Sequence, residues 1–343
     1  MNRTTVLLLF GGESSEHDIS LSSARNVYAA IDDSKYEVNL GYIDRSGNWW
    51  LLESLDDESL QSTLQIIPVL GSGVFVTLPH GQTLKPDVIL PILHGKNGED
   101  GSVQGLAQLL HIPIVGCDMF SSSISMDKVA TKQILDANDI RTAPYVVHRS
   151  YEAQPDFSRL SVQLGVPMFV KPSRSGSSVG VSKVHSEQEL VEAVSLAHAH
   201  DDTILIERGI AGRELEVAVL GNPPHHKTSG VGEIKPGDAF YSYDDKYASD
   251  STSQAIISAD LDESTKQKIK HEAAKIYAIL GCKGLARIDF FLADDDTLYL
   301  NEVNTLPGFT NISMYPKLWR AEGISYSQLI DTLIQLAISD TIE

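Results

Sequence analysis

Residues 285–304 constrain the fold more than any other segment, because they read as two short apolar strands joined by an acidic turn. Polar residues lie two positions apart on each strand: Arg287 and Asp289 on the first, Glu302 and Asn304 on the second. Side chains two residues apart on a strand face the same side of a sheet. If the turn places Asp289 opposite Glu302, all four polar side chains meet on one face, and a one-residue slip would separate them.

A face of this composition suits a divalent cation next to an anion. Two carboxylates and an amide oxygen are the hard ligands that Mg²⁺ prefers, and Mg²⁺ usually keeps waters and shares substrate phosphates. A neighbouring arginine stabilises a developing anion. The same spacing also fits a hairpin whose polar face is merely solvated, and the pattern alone does not separate the two interpretations.

The composition indicates a globular chain of two or three domains, with 343 residues and 42% hydrophobic content. No apolar run is long enough to cross a bilayer, and the N-terminus lacks the basic segment of a secretory signal. Cys117 and Cys282 are too few for a disulfide framework and lie among apolar residues. We therefore expect a cytoplasmic protein with buried thiols and no membrane partner.

The charge of the chain argues against a nucleic-acid partner. Its formal net charge is −19, which opposes binding to a phosphate backbone. Any site for an anionic ligand must therefore concentrate its lysines and arginines locally.

The N-terminal third alternates strand and helix patterns. Apolar strand-like runs occupy residues 5–10, 36–43 and 88–93, and helical periodicity covers residues 24–31 and 103–110. Such alternation is typical of a parallel sheet with both faces covered by helices. We therefore expect a Rossmann-like domain here, whereas residues 44–82 carry too little pattern for assignment.

The rest of the chain reads as two further αβ units, joined to the first by a connector at residues 121–126. Predicted strands lie at residues 169–171, 179–183, 203–207 and 214–220, and an apolar helix closes the chain at residues 326–337. The predicted domains are 1–124, 125–210 and 211–343. The fold class is α/β, becoming α+β in the C-terminal half.

A loop at residues 11–20 joins the first strand to its helix. Backbone N–H groups at a helix start favour a carboxylate or phosphate, and Glu16 would pair an ammonium group. Together they suit a zwitterion such as an amino acid. A tight turn followed by an acidic residue that the helix dipole favours is the alternative. The Gly pair is not a GxGxxG motif, so a dinucleotide is not supported.

Residues 171–180 form a Gly/Ser-rich loop between two predicted strands. Small residues allow backbone N–H groups to close over phosphate oxygens. The loop is not a Walker A motif, so a nucleotide site would draw its lysines from elsewhere, with Lys128 and Lys171 as candidates. The alternative is a disordered β-turn.

Two further features are ambiguous by themselves. Glu207 ends an apolar strand, where its carboxylate would accept hydrogen bonds from adenine or ribose hydroxyls, and Glu214 lies just beyond. Glutamates in such positions are more often charges on an edge strand. Residues 237–253 form a polar loop with several tyrosines. This loop would serve as a lid that expels water, or it is only a surface excursion.

Taken in order, these motifs resemble the ATP-grasp superfamily and, within it, the D-alanine–D-alanine ligases. The resemblance covers essentially the whole chain. It is carried by the runs at residues 11–20, 94–101, 125–128, 171–180, 245–247, 286–289 and 301–310. It implies an ATP-grasp fold preceded by a Rossmann-like (pre-ATP-grasp) domain, with ATP between the second and third domains.

The resemblance also implies roles for particular residues. Those expected to bind ATP are Lys128, Lys171, Ser178, Glu207, Ile210, Glu214 and Lys246. Two Mg²⁺ ions, with Mn²⁺ as a substitute, are expected on Asp289, Glu302 and Asn304. Residues expected to contact the amino-acid substrates are Glu16, His94, Arg287, Gly308, Ser313 and Met314. The expected catalytic groups are Glu16, Ser177, Tyr247, Arg287 and Gly308.

The implied reaction joins two D-alanines through a D-alanyl phosphate, for peptidoglycan precursor synthesis, in a homodimer. Relatives that use D-serine or D-lactate as second substrate are the alternative. Met314 stands where D-serine ligases tend to carry arginine, and the Lys246–Tyr247 pair resembles the D-alanine enzymes. A non-catalytic amino-acid or nucleotide sensor is a more distant alternative, which the presence of all three expected metal ligands disfavours.

Overall fold

Three β-sheets follow one another along the chain, in a computed structural model that describes residues 3–56, 64–235 and 254–340. The sheets span residues 4–92, 145–208 and 212–304, one inside each predicted domain. The domain boundaries themselves stay predictions. The predicted lid, with Lys246 and Tyr247, lies outside the described residues.

Strand β1 is a mostly buried strand that lies next to one edge of the first sheet. Its strands are β1 (Thr4–Gly11), β2 (Tyr36–Ile43), β3 (Trp49–Leu52), β4 (Gln65–Val69), β5 (Val74–Leu78), β6 (Thr83–Leu84) and β7 (Val88–Ile92), in the order β6-β5-β4-β3-β2-β1-β7. β1 pairs in parallel with β2 and β7, and the other pairs are antiparallel. The strands that the sequence predicted here, β1, β2 and β7, are parallel as expected, and the antiparallel strands lie within residues 49–84, where almost no assignment was made. The short turn between β2 and β3 cannot make the crossover that a parallel pair needs.

The described residues of this part of the chain include the helices α1 (His17–Ala30), α2 (Ser102–Leu110) and α3 (Met119–Met126). The prediction of a connector at residues 121–126 is wrong, because these residues form most of α3. The Asp118 carboxylate accepts the Ser121 N–H at 2.8 Å and so caps the helix. Ser122 and Ser125 are buried, so packing and the cap outweigh the weak helix preference of serine.

The second unit packs two helices on one face of a four-stranded antiparallel sheet. Its elements are α4 (Lys128–Asp136), β8 (Tyr145–Arg149), α5 (Phe157–Leu164), β9 (Met168–Pro172), β10 (Ser182–Val184), α6 (Glu187–His198) and β11 (Thr203–Arg208). The strand order is β10-β9-β11-β8. The strand predicted at residues 179–183 begins later, at Ser182. The left-handed backbone of Ser177, Ser178 and Gly180 holds the preceding residues in turns.

The third unit is an antiparallel sheet in the order β14-β13-β12-β15-β16. Its elements are β12 (Gly212–Leu220), β13 (Lys227–Lys235), β14 (Gln254–Ile256), α7 (Glu263–Ile279), β15 (Leu285–Ala293), β16 (Leu298–Asn304), α8 (Met314–Ala321) and α9 (Tyr326–Ser339). Helix α7 packs on the sheet through Ile269 and Ile276. Helix α9 shares a core with β1, which confirms its predicted packing role and ties the chain's end to the first sheet.

Both cysteines are buried free thiols, as the sequence predicted. Among the described residues, no helix is long and apolar enough to span a membrane.

Asp127 caps α4 and also fixes the start of the Gly/Ser loop. Its Oδ1 accepts from the N–H groups of Val129 and Ala130, at 3.0 and 3.1 Å, and from Ser173 Oγ at 2.6 Å. The Ser173 side chain is completely buried.

We predict that Asp127→Ala lowers the free energy of unfolding by about 2 kcal/mol, because it removes a helix cap and leaves a buried hydroxyl without its acceptor. The measurement is urea denaturation followed by circular dichroism. Asp156→Ala is the matched control, since Asp156 caps α5 through one bond, to Arg159 N–H. Its expected loss is about 1 kcal/mol. Equal losses in the two variants would contradict the bridging role of Asp127.

Candidate active site

A cleft of about 590 Å³ opens where the three units meet. This volume lies in the usual range for small-molecule sites. Its walls include Glu16 from the start of α1, Lys128 from α4, and Arg287 and Asn304 from the third sheet. Each unit therefore contributes side chains to a single opening.

The hairpin of β15 and β16 has the predicted register at the cleft. Asp289 pairs with Glu302, and Arg287 pairs with Asn304. Nearer the turn the register differs by one residue, and Asn301 is the extra residue of a β-bulge. Without the bulge, strict alternation would turn Glu302 and Asn304 toward the same face as the buried Leu300. The bulge therefore brings both polar side chains to the cleft.

A charged network covers the hairpin face. The Arg287 guanidinium donates to both Asp289 carboxylate oxygens, at 2.8 and 2.7 Å. The Asn304 amide also donates to Asp289, at 2.9 Å, and Glu216 Oε2 lies 3.3 Å from Arg287 Nε. Burial lowers the pKa of Arg287, but Asp289 and Glu216 outweigh it and hold that pKa well above its ordinary value. Arg287 is therefore a fixed cation on this face.

The donor set on this face fits a divalent cation. Glu216, Asp289 and Glu302 carry three negative charges against one on Arg287, which leaves two to be neutralised. Across the described ranges, no three His, Cys, Asp or Glu side chains converge as metal ligands. Asp289 is instead turned toward Arg287 and Asn304, which both donate to it. The residues expected as ligands therefore share a face on which Asp289 is already engaged by protein donors.

Glu16 joins the N-terminal loop to the Gly/Ser loop. It is only 7% exposed. A Cβ built on Gly95 would lie 3.3 Å from Glu16 Oε2, and one on Gly176 would lie 3.9 Å away. Ser177 lines the cleft beside it in a left-handed conformation, with φ of 50°. Glu16, the residue expected to hold the first amino acid's ammonium, and Ser177, expected among the catalytic groups, therefore line the same cleft.

A buried ion cluster lies at the wall opposite the hairpin, where Lys132 lines the cleft and its partners lie behind it. Glu207 Oε1 is 2.6 Å from Lys132 Nζ, and its Oε2 contacts Lys171 Nζ. Burial raises the pKa of Glu207, but the two lysines outweigh burial and bring it to about 2. Lys128 Nζ donates to the Ser175 carbonyl at 2.6 Å. Lys132 was missed in the sequence, although it lies one helical turn after Lys128.

His94 lies just behind the cleft wall. Its Nδ1 is 3.3 Å from the Leu306 carbonyl, which links the first unit to the loop before Gly308. Burial lowers the pKa of His94, and the Glu16 carboxylate opposes that shift only in part. The imidazole is therefore neutral near pH 7.

Glu99 is a second residue that the sequence analysis missed. It lines the cleft and accepts the Gly95 N–H at 2.7 Å. Burial raises the pKa of Glu99 to about 8, with Glu16 and Glu302 adding to the shift. The sequence signal that could have identified Glu99 is its position inside the run of residues 94–101, which carries part of the family resemblance.

The N-terminus of α8 faces the cleft beside Gly308. Ser313 Oγ accepts the Thr310 N–H at 3.1 Å and makes no cap bond to the helix. A Cβ on Gly308 would come within 3.0 Å of Ser313 Oγ, so a side chain there would press on it. Met314 is 6% exposed and lines the cleft. Uncapped N–H groups at a helix start favour a carboxylate.

Two family sequence models match the chain: the D-ala D-ala ligase N-terminus over residues 5–117 and the D-ala D-ala ligase C-terminus over residues 134–335. D-alanine--D-alanine ligase A of Chromobacterium violaceum is 44% identical over 98% of this chain and 96% of its own length.

The chain belongs to the D-alanine–D-alanine ligase family. Solved structures agree. The D-alanine-D-alanine ligase of Coxiella burnetii superposes with a TM-score of 0.89 at 34% identity, covering 100% of this chain and 96% of that one. The VanG D-Ala:D-Ser ligase of Enterococcus faecalis superposes with a TM-score of 0.89 at 33% sequence identity, covering 98% of this chain and 100% of that one. The chain has the ATP-grasp fold of this ligase family.

The structure distributes the family's expected residues over two layers. Those that line the cleft are Glu16, Lys128, Ser177, Glu214, Arg287, Asp289, Glu302, Asn304, Gly308, Ser313 and Met314. Those that do not line it are His94, Lys171, Ser178, Glu207 and Ile210. Behind the wall, Glu207 is paired with both Lys171 and Lys132.

The raised pKa of Glu99 makes stability depend on pH. Its unfolded carboxyl ionises near 4.5 and the folded one near 8, so the folded state loses stability as pH rises between these values. Glu99→Gln keeps an acceptor for Gly95 N–H but carries no charge. We predict that the variant's stability relative to the parent protein rises between about pH 5 and pH 8 by on the order of 1 kcal/mol, since cleft water screens part of the shift.

The measurement is chemical denaturation of metal-free protein at several pH values. Glu187→Gln, on the exposed side of α6, is the control for loss of a carboxylate. A relative stability for Glu99→Gln that does not change with pH would contradict the raised pKa of this carboxyl.

Proposed function

We propose that this protein joins two D-alanines, with cleavage of ATP to ADP and phosphate, to give D-alanyl-D-alanine through a D-alanyl phosphate. The observation that carries the proposal is the single cleft in which Glu16, the Gly/Ser loop and the β15–β16 hairpin meet. Nearly full-length similarity to D-alanine–D-alanine ligases supports it. A carboxylate needs this activation because oxide is not a usable leaving group.

ATP would lie between the second and third sheets. Lys128, Lys171 and Lys246 would contact the phosphates, because ammonium groups neutralise charge that builds up during phosphoryl transfer. The proposed contacts to adenine, ribose and adjoining phosphate oxygens are Ser178, Glu207, Ile210 and Glu214. The surplus of positive charge around Glu207 supports an anionic ligand here.

Asp289, Glu302 and Asn304 would hold two Mg²⁺ ions, or Mn²⁺ in their place. Bound Mg²⁺ would neutralise phosphate charge and orient the triphosphate. For this, Arg287 must release at least part of Asp289, and the Asn304 side chain must turn its oxygen to the face. Glu216 then remains as a counter-ion for Arg287, at the 3.3 Å contact already present.

The first D-alanine would place its ammonium against Glu16 and its carboxylate toward the hairpin. Ser177 and Tyr247 would continue a hydrogen-bonded chain from Glu16 to the lid. The carboxylate oxygen attacks the γ-phosphorus and ADP leaves, which produces the acyl phosphate. Water competes for this intermediate, so the closed site must exclude it.

The second D-alanine would bind its carboxylate at Ser313 and the start of α8, beside Met314, with His94 behind the wall. Its amine loses a proton and attacks the acyl carbon. Arg287 and the Gly308 N–H would stabilise the tetrahedral oxyanion; one such donor is typically worth roughly 100- to 1,000-fold in rate. Phosphate then leaves with the oxygen that came from the first carboxylate.

We also propose where the enzyme acts in the cell and in which oligomeric state. The product would serve peptidoglycan precursor synthesis in the cytoplasm, and the enzyme would act as a homodimer. These statements follow from the proposed activity and from the family resemblance.

Product identification tests the proposed function. The protein is incubated with ATP, Mg²⁺ and D-alanine, with and without D-serine or D-lactate, and products are identified by mass spectrometry. We expect D-alanyl-D-alanine in every tube, and no phosphate release with L-alanine. The buried, uncharged Met314 favours a small apolar second substrate. Preferential D-alanyl-D-serine would instead support the activity named for the Enterococcus faecalis structure.

We predict that Glu302→Gln lowers turnover by at least about 100-fold and raises the Mg²⁺ concentration needed for half-maximal rate, because a carboxylate facing Asp289 is lost. The measurement is ADP release at a series of Mg²⁺ concentrations. Asp294→Asn removes an exposed carboxylate from the turn of the same hairpin and serves as the control. A Glu302→Gln enzyme with the parent's rate at low Mg²⁺ would rule out this role.

A further inference from the structure

The buried cluster of Lys132, Lys171 and Glu207 holds two ammonium groups and one carboxylate. Their side chains are 4%, 14% and 6% exposed, respectively. Asp136, which also acts on Lys132, lies on the solvent-exposed face of α4. A buried ammonium without a counter-ion is costly. The cluster therefore has one more positive charge than its own carboxylate neutralises.

The two lysines have different surroundings. Lys132 Nζ also donates to the Ala143 carbonyl at 3.2 Å and lies 5.1 Å from the centre of the Tyr145 ring. Lys171 has Glu207 as its one ionic or hydrogen-bonding partner within the described ranges, and it is the more exposed of the two. The ammonium group of Lys132 therefore has three contacts, with Glu207, Ala143 and Tyr145, whereas the side chain of Lys171 contacts one carboxylate.

We propose that Lys132 is the permanent counter-ion of Glu207 and thereby leaves Lys171 available to a phosphate group of the bound nucleotide. The inference rests on the proposed ATP site. If Lys171 moves to a phosphate, Glu207 keeps Lys132 as its partner. Without Lys132, the same movement would leave a buried carboxylate unpaired. Lys132 is thus a positioning residue that acts through Glu207 and Lys171.

The test compares two ligands that differ only in phosphate. Dissociation constants for ADP and adenosine are measured by calorimetry on full-length, Mg²⁺-free protein. Their ratio, adenosine over ADP, reports the contribution of the phosphates and cancels changes at adenine and ribose. We expect Lys132→Met to lower this ratio roughly 10- to 100-fold, the value of one charge-assisted hydrogen bond, because Lys171 must stay with Glu207.

A second substitution separates positioning from direct contact. Adding Glu207→Gln to Lys132→Met removes the charge that retains Lys171, so the ratio should return to within a few-fold of the parent value. Lys171→Met should also lower the ratio, and Glu207→Gln should not restore it. Lys183→Met, an exposed lysine of β10, controls for the loss of one positive charge.

Several results would overturn the inference. One such result is an adenosine/ADP ratio in Lys132→Met that equals the parent's. Another is a ratio that stays low in the double variant, which would indicate that Lys132 itself contacts the phosphate. If Lys132→Met does not fold, the double variant is compared with Glu207→Gln alone; equal ratios support the proposal and a lower one contradicts it. A parent protein that binds neither ADP nor adenosine would instead defeat the proposed nucleotide site.

Discussion

The β-bulge at Asn301 is the constraint on which the rest of the site depends. The turn of the hairpin sets a register that, continued without interruption, would send Glu302 and Asn304 to the packed face of the sheet. One extra residue reverses the alternation, so both side chains join Arg287 and Asp289 at the cleft. The Arg287–Asp289 ion pair then fixes the guanidinium at the position where the proposed chemistry builds up negative charge.

Charge is divided between the two walls of the cleft. The hairpin wall is acidic, with Asp289 and Glu302 beside Glu216, whereas the opposite wall takes Lys128 and Lys132 from α4, with Lys171 of β9 behind them. A triphosphate with divalent cations would be complementary to both walls at once, so the proposed polyanionic substrate is compatible with a chain of net charge −19. Buried ion pairs compensate part of the charge on each wall.

The sequence predicted the features that depend on local pattern. Buried strands such as residues 36–43 and the pairing of Asp289 with Glu302 are found as expected. One prediction failed where tertiary context decides: the Asp118 cap turned a serine-rich connector into α3. The antiparallel outer strands of the first sheet lie in a segment whose pattern was too weak for assignment, and short turns decide their pairing. Leu300 and Val303 are both buried although they are three positions apart, which breaks the two-residue alternation of a strand. This break in the apolar pattern was an overlooked signal for the bulge.

The site residues that were missed, Lys132 and Glu99, have no distinctive spacing. Their importance comes from partners distant in sequence, Glu207 and the Glu16–Glu302 pair, which only the fold brings close. We propose that the hairpin cleft activates a carboxylate as an acyl phosphate, and the site is built around this step. The most direct test supplies D-alanine with ¹⁸O in its carboxylate and analyses the released phosphate by mass spectrometry. One ¹⁸O atom per phosphate is the predicted result, and phosphate without ¹⁸O, accompanied by dipeptide, would contradict the account.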